Sequence, residues 1–414
     1  MATEVSRFRN ETHGSAIEVA LRHGAGHPLL VSIPKIELKV RVRGRHPWFY
    51  RKMVQKPTRP LPAGCVVHVV DRDGRAIGSG LFNPRTDLAL RMFSTTLIED
   101  QKKYFVQMLK TALAMRESVL LLPSVTNAYR VIHSEADGCP GLILDRLGNA
   151  FVAQVHSLGM QNQMEPMGEW LREQVRDCKL VLLQDDDSVR REGMERLPRP
   201  QPVAVSVNEH GIHYAVQAGG GHKTGFFADQ RDNRQLVRQL SKGRRVLDLC
   251  CNAGGFAMNA VAGGAKSVLA SDLDEAMVAA TVRNAAQNKL RVDTQHADAF
   301  DLLRELKGGE YDLIVLDPPK WVPHREEFEQ GIARYRDLNR LAFQKIADGG
   351  ILVTCSCSGS VSEESFLRML QDAASEASVD ARVLFLRGAG ADHPAALQCL
   401  ETRYLKVAVL AVSR

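Results

Sequence analysis

Val246-Leu-Asp-Leu-Cys-Cys-Asn-Ala-Gly-Gly-Phe256 reads as an apolar strand that runs into a glycine turn and opens a helix. That junction is how a parallel α/β sheet receives a nucleotide-like cofactor at the carboxyl ends of its strands. The period around it is regular. Helices are predicted over 229–241, 256–262, 275–289, 300–306 and 329–347, alternating with strands over 245–249, 267–271, 293–296, 313–316 and 351–354. Strands alternating with helices imply a doubly wound, mostly parallel sheet, and the alternation of Tyr404 to Val412 suggests an antiparallel closing strand.

Upstream the pattern changes. Between Lys35 and Ser94 short β-type runs alternate with turn signals such as Asp73-Gly74, the pattern of a small β-barrel. Helical spacing over 99–121 and strands over 129–155 indicate a central α+β unit, followed by a hairpin over 203–217 that turns at Glu209-His-Gly211. The glycines of Ala218-Gly-Gly-Gly-His-Lys-Thr-Gly225 suggest a flexible hinge. The expected divisions are an N-terminal extension (1–33), a β-rich domain (34–96), a central domain (97–217) and a catalytic domain (218–414).

The 414 residues, 44% of them hydrophobic, suffice for two or three cores. A net charge of +6, left between 54 basic and 48 acidic residues, leaves attraction to an acidic partner to local clustering. The eight cysteines lack disulfide-framework spacing, and no second close pair completes a zinc site beside Cys355 and Cys357. A reducing cytoplasm and no metal are therefore expected. No apolar run approaches the ~20 residues of a membrane span, so no membrane contact is expected.

Two further strand ends carry chemistry. Asp317-Pro-Pro-Lys320 places an acid after an apolar strand, and Thr354-Cys-Ser-Cys-Ser-Gly359 places thiols after another. A pyrimidine C5 is a poor nucleophile until a thiolate adds at C6, so a thiol beside a methyl donor points to carbon methylation. Cys355 continues the apolar strand and should lie deeper, whereas Cys357 is at the mouth and is the expected nucleophile, with Lys320 or the cofactor sulfonium favouring its thiolate. Asp317 would bind the pyrimidine N3 and exocyclic edge. Gly254 and Gly255 admit close approach of a ligand, Asp272 suits a ribose, and Asp298 suits an adenine amino group. The turn lacks a full dinucleotide fingerprint, which favours S-adenosylmethionine as cofactor, with Asp248, Asn252, Phe256 and Asp317 completing its expected contacts.

Residues 35–59 hold nine Lys or Arg, among them Lys39, Arg41, Arg43 and Arg45, against the single acid Glu37, interleaved with Trp48, Phe49 and Tyr50. Such a run can neutralise phosphates while its rings stack on bases. His222, Lys223 and Arg231, flanking Phe226 and Phe227, form a second candidate RNA contact. A base N-methyltransferase without a thiol nucleophile and a non-catalytic RNA-binding assembly factor remain alternatives.

In order, the chain also carries Arg45-His-Pro-Trp48, Ser134-Glu-Ala-Asp-Gly-Cys-Pro-Gly141, Gly221-His-Lys-Thr-Gly-Phe-Phe-Ala-Asp-Gln-Arg231, Asn252-Ala-Gly-Gly-Phe256, Asp317-Pro-Pro-Lys320, Ser356-Cys-Ser-Gly359 and Ala391-Asp-His-Pro394. From about Lys35 to the end this resembles the RlmI-type methyltransferases of large-subunit ribosomal RNA, which make 5-methylcytosine. The resemblance implies an N-terminal PUA domain, a central connecting domain and a class I, Rossmann-like methyltransferase domain. It further implies Cys357 as nucleophile, Gln230 in the cofactor pocket and large-subunit rRNA as partner, and it is compatible with a homodimer. Cys355 and the first 33 residues depart from the family pattern.

Overall fold

A computed structural model describes residues 33–220 and 223–414. The expected N-terminal extension, Gly221 and His222 lie outside them, Ile33 excepted. Strands β1 (Lys35–Glu37), β2 (Trp48–Phe49), β3 (Cys65–Val70), β4 (Ala76–Phe82) and β5 (Leu90–Ser94) form one sheet in the order β1-β3-β4-β5-β2. Beyond the edge strand β1, Leu38 bridges to Val54, so the sheet curls toward its other edge. Its own small core holds Leu38, Phe49, Val67, Val69 and Leu90.

The central unit places α1 (Gln101–Ala114), α2 (Leu158–Gln161), α3 (Met164–Gln174) and α4 (Asp186–Glu192) with a sheet of β6 (Ala128–His133), β7 (Leu142–Leu147), β8 (Ala150–Val155) and β9 (Lys179–Leu183). The hairpin of β10 (Val203–Glu209) and β11 (Ile212–Ala218) follows with its turn where expected, Glu209 pairing with Ile212. It is not a loose tether. Val207, Tyr214 and Val216 share a core with Ala128, Val152 and Met258, and the bidentate Arg234–Glu209 pair (2.7 and 2.6 Å) lies buried between hairpin and catalytic domain. Of the glycines expected to make a hinge, Gly219 and Gly225 serve close packing: a Cβ on Gly225, whose φ is +108°, would lie 2.4 Å from the Gln217 carbonyl oxygen. Thr224 adds a hydrogen bond to Asp145 at 2.7 Å.

The catalytic domain contains α5 (Arg231–Leu240), β12 (Arg245–Leu249), α6 (Gly255–Ala262), β13 (Ser267–Asp272), α7 (Glu275–Gln287), β14 (Asp293–His296), α8 (Ala299–Glu305), β15 (Tyr311–Leu316), α9 (Phe328–Lys345), β16 (Ile346–Ser356), α10 (Glu363–Glu376), β17 (Asp380–Arg387) and β18 (Lys406–Ser413). Its sheet order is β14-β13-β12-β15-β16-β18-β17. The chain leaves edge strand β14 and re-enters beside β12, so the strand order reverses between β12 and β15, where such sheets bind ligands. β12, β15 and the last half of β16 are buried on both faces, in keeping with their largely apolar sequences. Helix α10 and strand β17 are additions to the sequence reading. Ser362 caps α10 by accepting from the Ser365 amide at 3.0 Å; β18 is antiparallel as expected but lies inside the sheet between β16 and β17, and β17 closes the edge.

Candidate active site

The carboxyl ends of β12, β13, β15 and β16 open into one cleft of about 940 Å³. The turn after β12 is rigid and strained. Cys250 and Asn252 adopt positive φ (59° and 50°), as does Gly254 (80°). Its carbonyls are tied to α7: Thr281 donates to the Asn252 oxygen at 2.9 Å and Asn284 to the Ala253 oxygen at 3.2 Å. Asn252 N–H in turn donates to Asp272 at 2.8 Å. A Cβ on Gly254 would sit 2.6 Å from the Thr281 methyl, so only glycine fits there.

Asp272 accepts one backbone N–H on each carboxylate oxygen, from Asn252 and Asp274, and keeps lone pairs for a diol. Asp298 caps α8 through one oxygen, accepting from the Phe300 and Asp301 amides, and faces the cleft beside Phe300 and Trp321. These two rings, 5.9 Å apart with the Arg334 guanidinium over Trp321 at 4.7 Å, were not anticipated and make an apolar wall for a flat heterocycle. A cradle closed to any Cβ, a diol-binding carboxylate and an aromatic wall fit S-adenosylmethionine. Asn252, Phe256, Asp272, Asp298, Gln230 and Asp317 all line the cleft. Asp248 does not. It is fully buried behind the turn, where burial pushes its carboxyl well up and it accepts from the Ala257 amide at 2.9 Å, so it positions the start of α6 rather than touching ligand.

At the other end of the cleft the acids and the thiol meet. Gln230 donates to Asp317 at 3.1 Å. Burial, and then the charge of Asp229, push the Asp317 carboxyl up to about 6. Cys355 is fully buried among Val353, Val407 and Leu405, which raises its thiol well above the ordinary value, whereas Cys357 lines the cleft. The strand end that carries Cys357 is anchored on three sides. Val322 N–H donates to Ser358 Oγ at 3.1 Å, Tyr335 Oη lies 3.1 Å from the same oxygen, and buried Lys406 donates to the Ser358 carbonyl at 2.5 Å.

The expected cation beside Cys357 is corrected. Lys320 is exposed on the rim of the cleft, whereas Lys223 supplies the charge that opposes the upward push of burial on the Cys357 thiol. Asp317 and Asp229 add to that push, so the thiol stands above its ordinary value, contrary to the activation anticipated. Lys223 spans Phe227 and Tyr404 at 4.6 and 5.6 Å from their ring centres and lies 3.5 Å from Asp229. It lines the cleft and remains exposed there.

The candidate RNA surface survives in part. Lys39, Arg41, Arg43 and Arg45 are exposed, Arg41 being paired with Asp73. Trp48 is half-buried and donates to Glu135 at 2.9 Å, Phe49 is core, and only Tyr50 of the three rings is exposed. Arg231 is corrected outright: it is 1% exposed and bound to Asp392 at 2.6 Å. Asp392 also accepts from the Arg130 amide at 2.9 Å, and its carbonyl accepts from Arg116 at 2.8 Å, locking the loop of Ala391-Asp-His-Pro394 onto the central domain. Sequence reasoning missed Asp229, Tyr404 and Lys406 as site residues. The first lies inside a stretch already singled out, but only folding brings the C-terminal pair, some 170 residues away, to it.

A family model for S-adenosylmethionine-dependent methyltransferases matches residues 163–388, and one for a PUA-like domain matches 37–95. Ribosomal RNA large subunit methyltransferase I of Tolumonas auensis is 36% identical over 378 residues, covering 87% of this chain and 94% of that protein. The protein of the same name from Aeromonas hydrophila is 34% identical over 375 residues, with the same shares covered. Among solved structures, the SMU.776 methyltransferase complexed with SAH superposes with a TM-score of 0.74 at 18% identity, over 92% of this chain and all of that one, and shares the fold. The chain belongs to the S-adenosylmethionine-dependent methyltransferases, and among them to the family of ribosomal RNA large subunit methyltransferase I.

Proposed function

We propose that this enzyme methylates C5 of a cytosine in large-subunit ribosomal RNA, with Cys357 as nucleophile. The observation that carries the reading is the Cys357 thiol, which lines the same cleft as Asp317 just past the end of β16, while its neighbour Cys355 is sealed in the core and the other cleft thiols, Cys250 and Cys251, belong to the cofactor turn after β12. S-adenosylmethionine supplies an electrophilic methyl group and a sulfonium charge. Cys357 adds as thiolate to C6, which gives C5 the electron density to attack. After methylation C5 loses its proton, and expulsion of the thiolate restores the ring and the enzyme. Asp317, held by Gln230, stabilises the charge that develops on the N3 edge. The exposed Lys39, Arg41, Arg43 and Arg45, in the connection between β1 and β2 of the PUA-like domain, supply phosphate contacts. A base must leave its stack to reach Cys357 within the cleft.

The test uses large-subunit rRNA transcribed with 5-fluorocytidine, where fluorine at C5 cannot leave as a proton. The intact enzyme should form a covalent adduct that disappears in Cys357→Ala and persists in Cys355→Ala. An adduct lost only in Cys355→Ala would reverse the assignment, and full methylation by the double variant would favour N-methylation.

A further inference from the structure

Resting on the cytosine reading above, we propose that Asp229 reads the exocyclic amino group of the target base, and that Asp229 and Asp317 together make the site choose cytosine over uracil. Asp229 is 4% exposed and lines the cleft, yet one of its carboxylate oxygens, Oδ1, has no hydrogen-bond partner among the described residues. A buried carboxylate oxygen left unpaired is costly, and in a ligand cleft it marks where a donor from outside completes the site. The other oxygen is fully engaged: it accepts from Tyr404 Oη at 2.5 Å and lies 3.5 Å from Lys223 Nζ. Those partners fix the carboxylate and leave Oδ1 as its only vacant acceptor.

Asp317 is the neighbouring acid, with one oxygen engaged by Gln230. Two acids confined together do not both ionise readily, and their environments push them apart. Burial works against the charge of Asp229, but Lys223, His393, Tyr404 and Arg130 outweigh it and keep this group ionised. Asp317 also feels Lys223 and Arg234, but burial and the charge of Asp229 outweigh them and raise it to about 6, so it is the acid of the pair that takes up a proton as the base enters. The pair therefore presents one donor and one pure acceptor. Cytosine offers the complement, an N3 lone pair and an amino N–H. Uracil offers the reverse, N3–H and the O4 lone pairs, and would set donor against donor and acceptor against acceptor. Sites built on such pairing reject the mismatched base strongly, because their own buried groups are left unsatisfied.

The experiment measures methyl transfer to large-subunit rRNA transcripts, identifies the methylated nucleoside by mass spectrometry, and measures S-adenosylmethionine affinity and thermal stability beside it. In Asp229→Asn the amide oxygen retains the Tyr404 hydrogen bond while its N–H₂ faces the base. Transfer to cytidine should fall by about 100-fold in kcat/KM, detectable methyluridine should appear, and cofactor affinity should hold within threefold. Asp229→Glu keeps the charge and should keep the choice of cytosine at a raised KM. Cytidine methylation by Asp229→Asn within threefold of the intact enzyme would overturn the proposal, as would loss of S-adenosylmethionine binding, which would place Asp229 with the cofactor. If the intact enzyme forms no thiol adduct but still methylates cytosine, the nucleophile assignment fails while the base-choice ratio still tests Asp229.

Discussion

Replacing Lys406 by methionine should separate stability from catalysis. Lys406 is 3% exposed beneath the strand end that carries Cys357, and burial lowers its ammonium from 10.5 to about 8. That fall corresponds to about 3 kcal/mol by which the fold disfavours the charged amine near neutrality. Methionine removes this penalty but leaves the Ser358 and Tyr404 carbonyls without their donor, at roughly 1–3 kcal/mol each. The two effects oppose, so at pH 7.5 the variant should lie within about 2 kcal/mol of the parent. Their pH dependences differ. Because the folded value is depressed, the unfolded chain holds the extra proton between pH 8 and 10.5. The Lys406 contribution is therefore complete above 10.5 and lost as the pH falls through 8. Urea unfolding at pH 7.5 and 9.5 should show the parent gaining about 2 kcal/mol relative to Lys406→Met. Adduct formation should slow at least tenfold, since the Ser358 carbonyl is no longer held. Parallel stability profiles, or an unchanged adduct rate, would refute the reasoning.

Gly254→Ala places a Cβ 2.6 Å from the Thr281 methyl at a φ of +80°, and should weaken S-adenosylmethionine binding at least tenfold by calorimetry. Asp317→Asn should abolish activity yet stabilise the fold by up to about 3 kcal/mol at pH 8. Its raised carboxyl contributes stability that is complete below its ordinary value of 3.8 and lost as the pH rises through about 6, so the gain should vanish in melts near pH 4. Asp392→Ala strands Arg231, which is 1% exposed, and should cost about 3–5 kcal/mol in urea unfolding at neutral pH.

The catalytic domain was legible because most of its strands are short, largely apolar runs, with β15 ended by Asp-Pro and β16 by Cys-Ser, each a local signal. Helix α10 and strand β17 were missed. Strand β17 is largely exposed and carries no clean alternation, so its only clear cause is the edge that β18 offers it. Arg231 and Trp48 looked like RNA contacts because charge and aromaticity are visible in a sequence, whereas the partner that buries them is not. Those partners, Asp392 and Glu135, stand 161 and 87 residues away.

From the order of residues alone came the doubly wound sheet, the glycine cradle, the strand-end acid and the preference for Cys357 over Cys355, since all depend on periodicity and on position relative to a strand end. Folding decided which charges the thiol and the acids feel. The charge of Lys223 opposes the push of burial on Cys357, Lys406 holds its strand end, and Tyr404 donates to Asp229. Electrostatic and hydrogen-bond energies vary with distance and burial over a few ångströms. Those separations are set by the pairing of β18 beside β16 and by where residues 223–230 meet the strand ends, which no local pattern encodes.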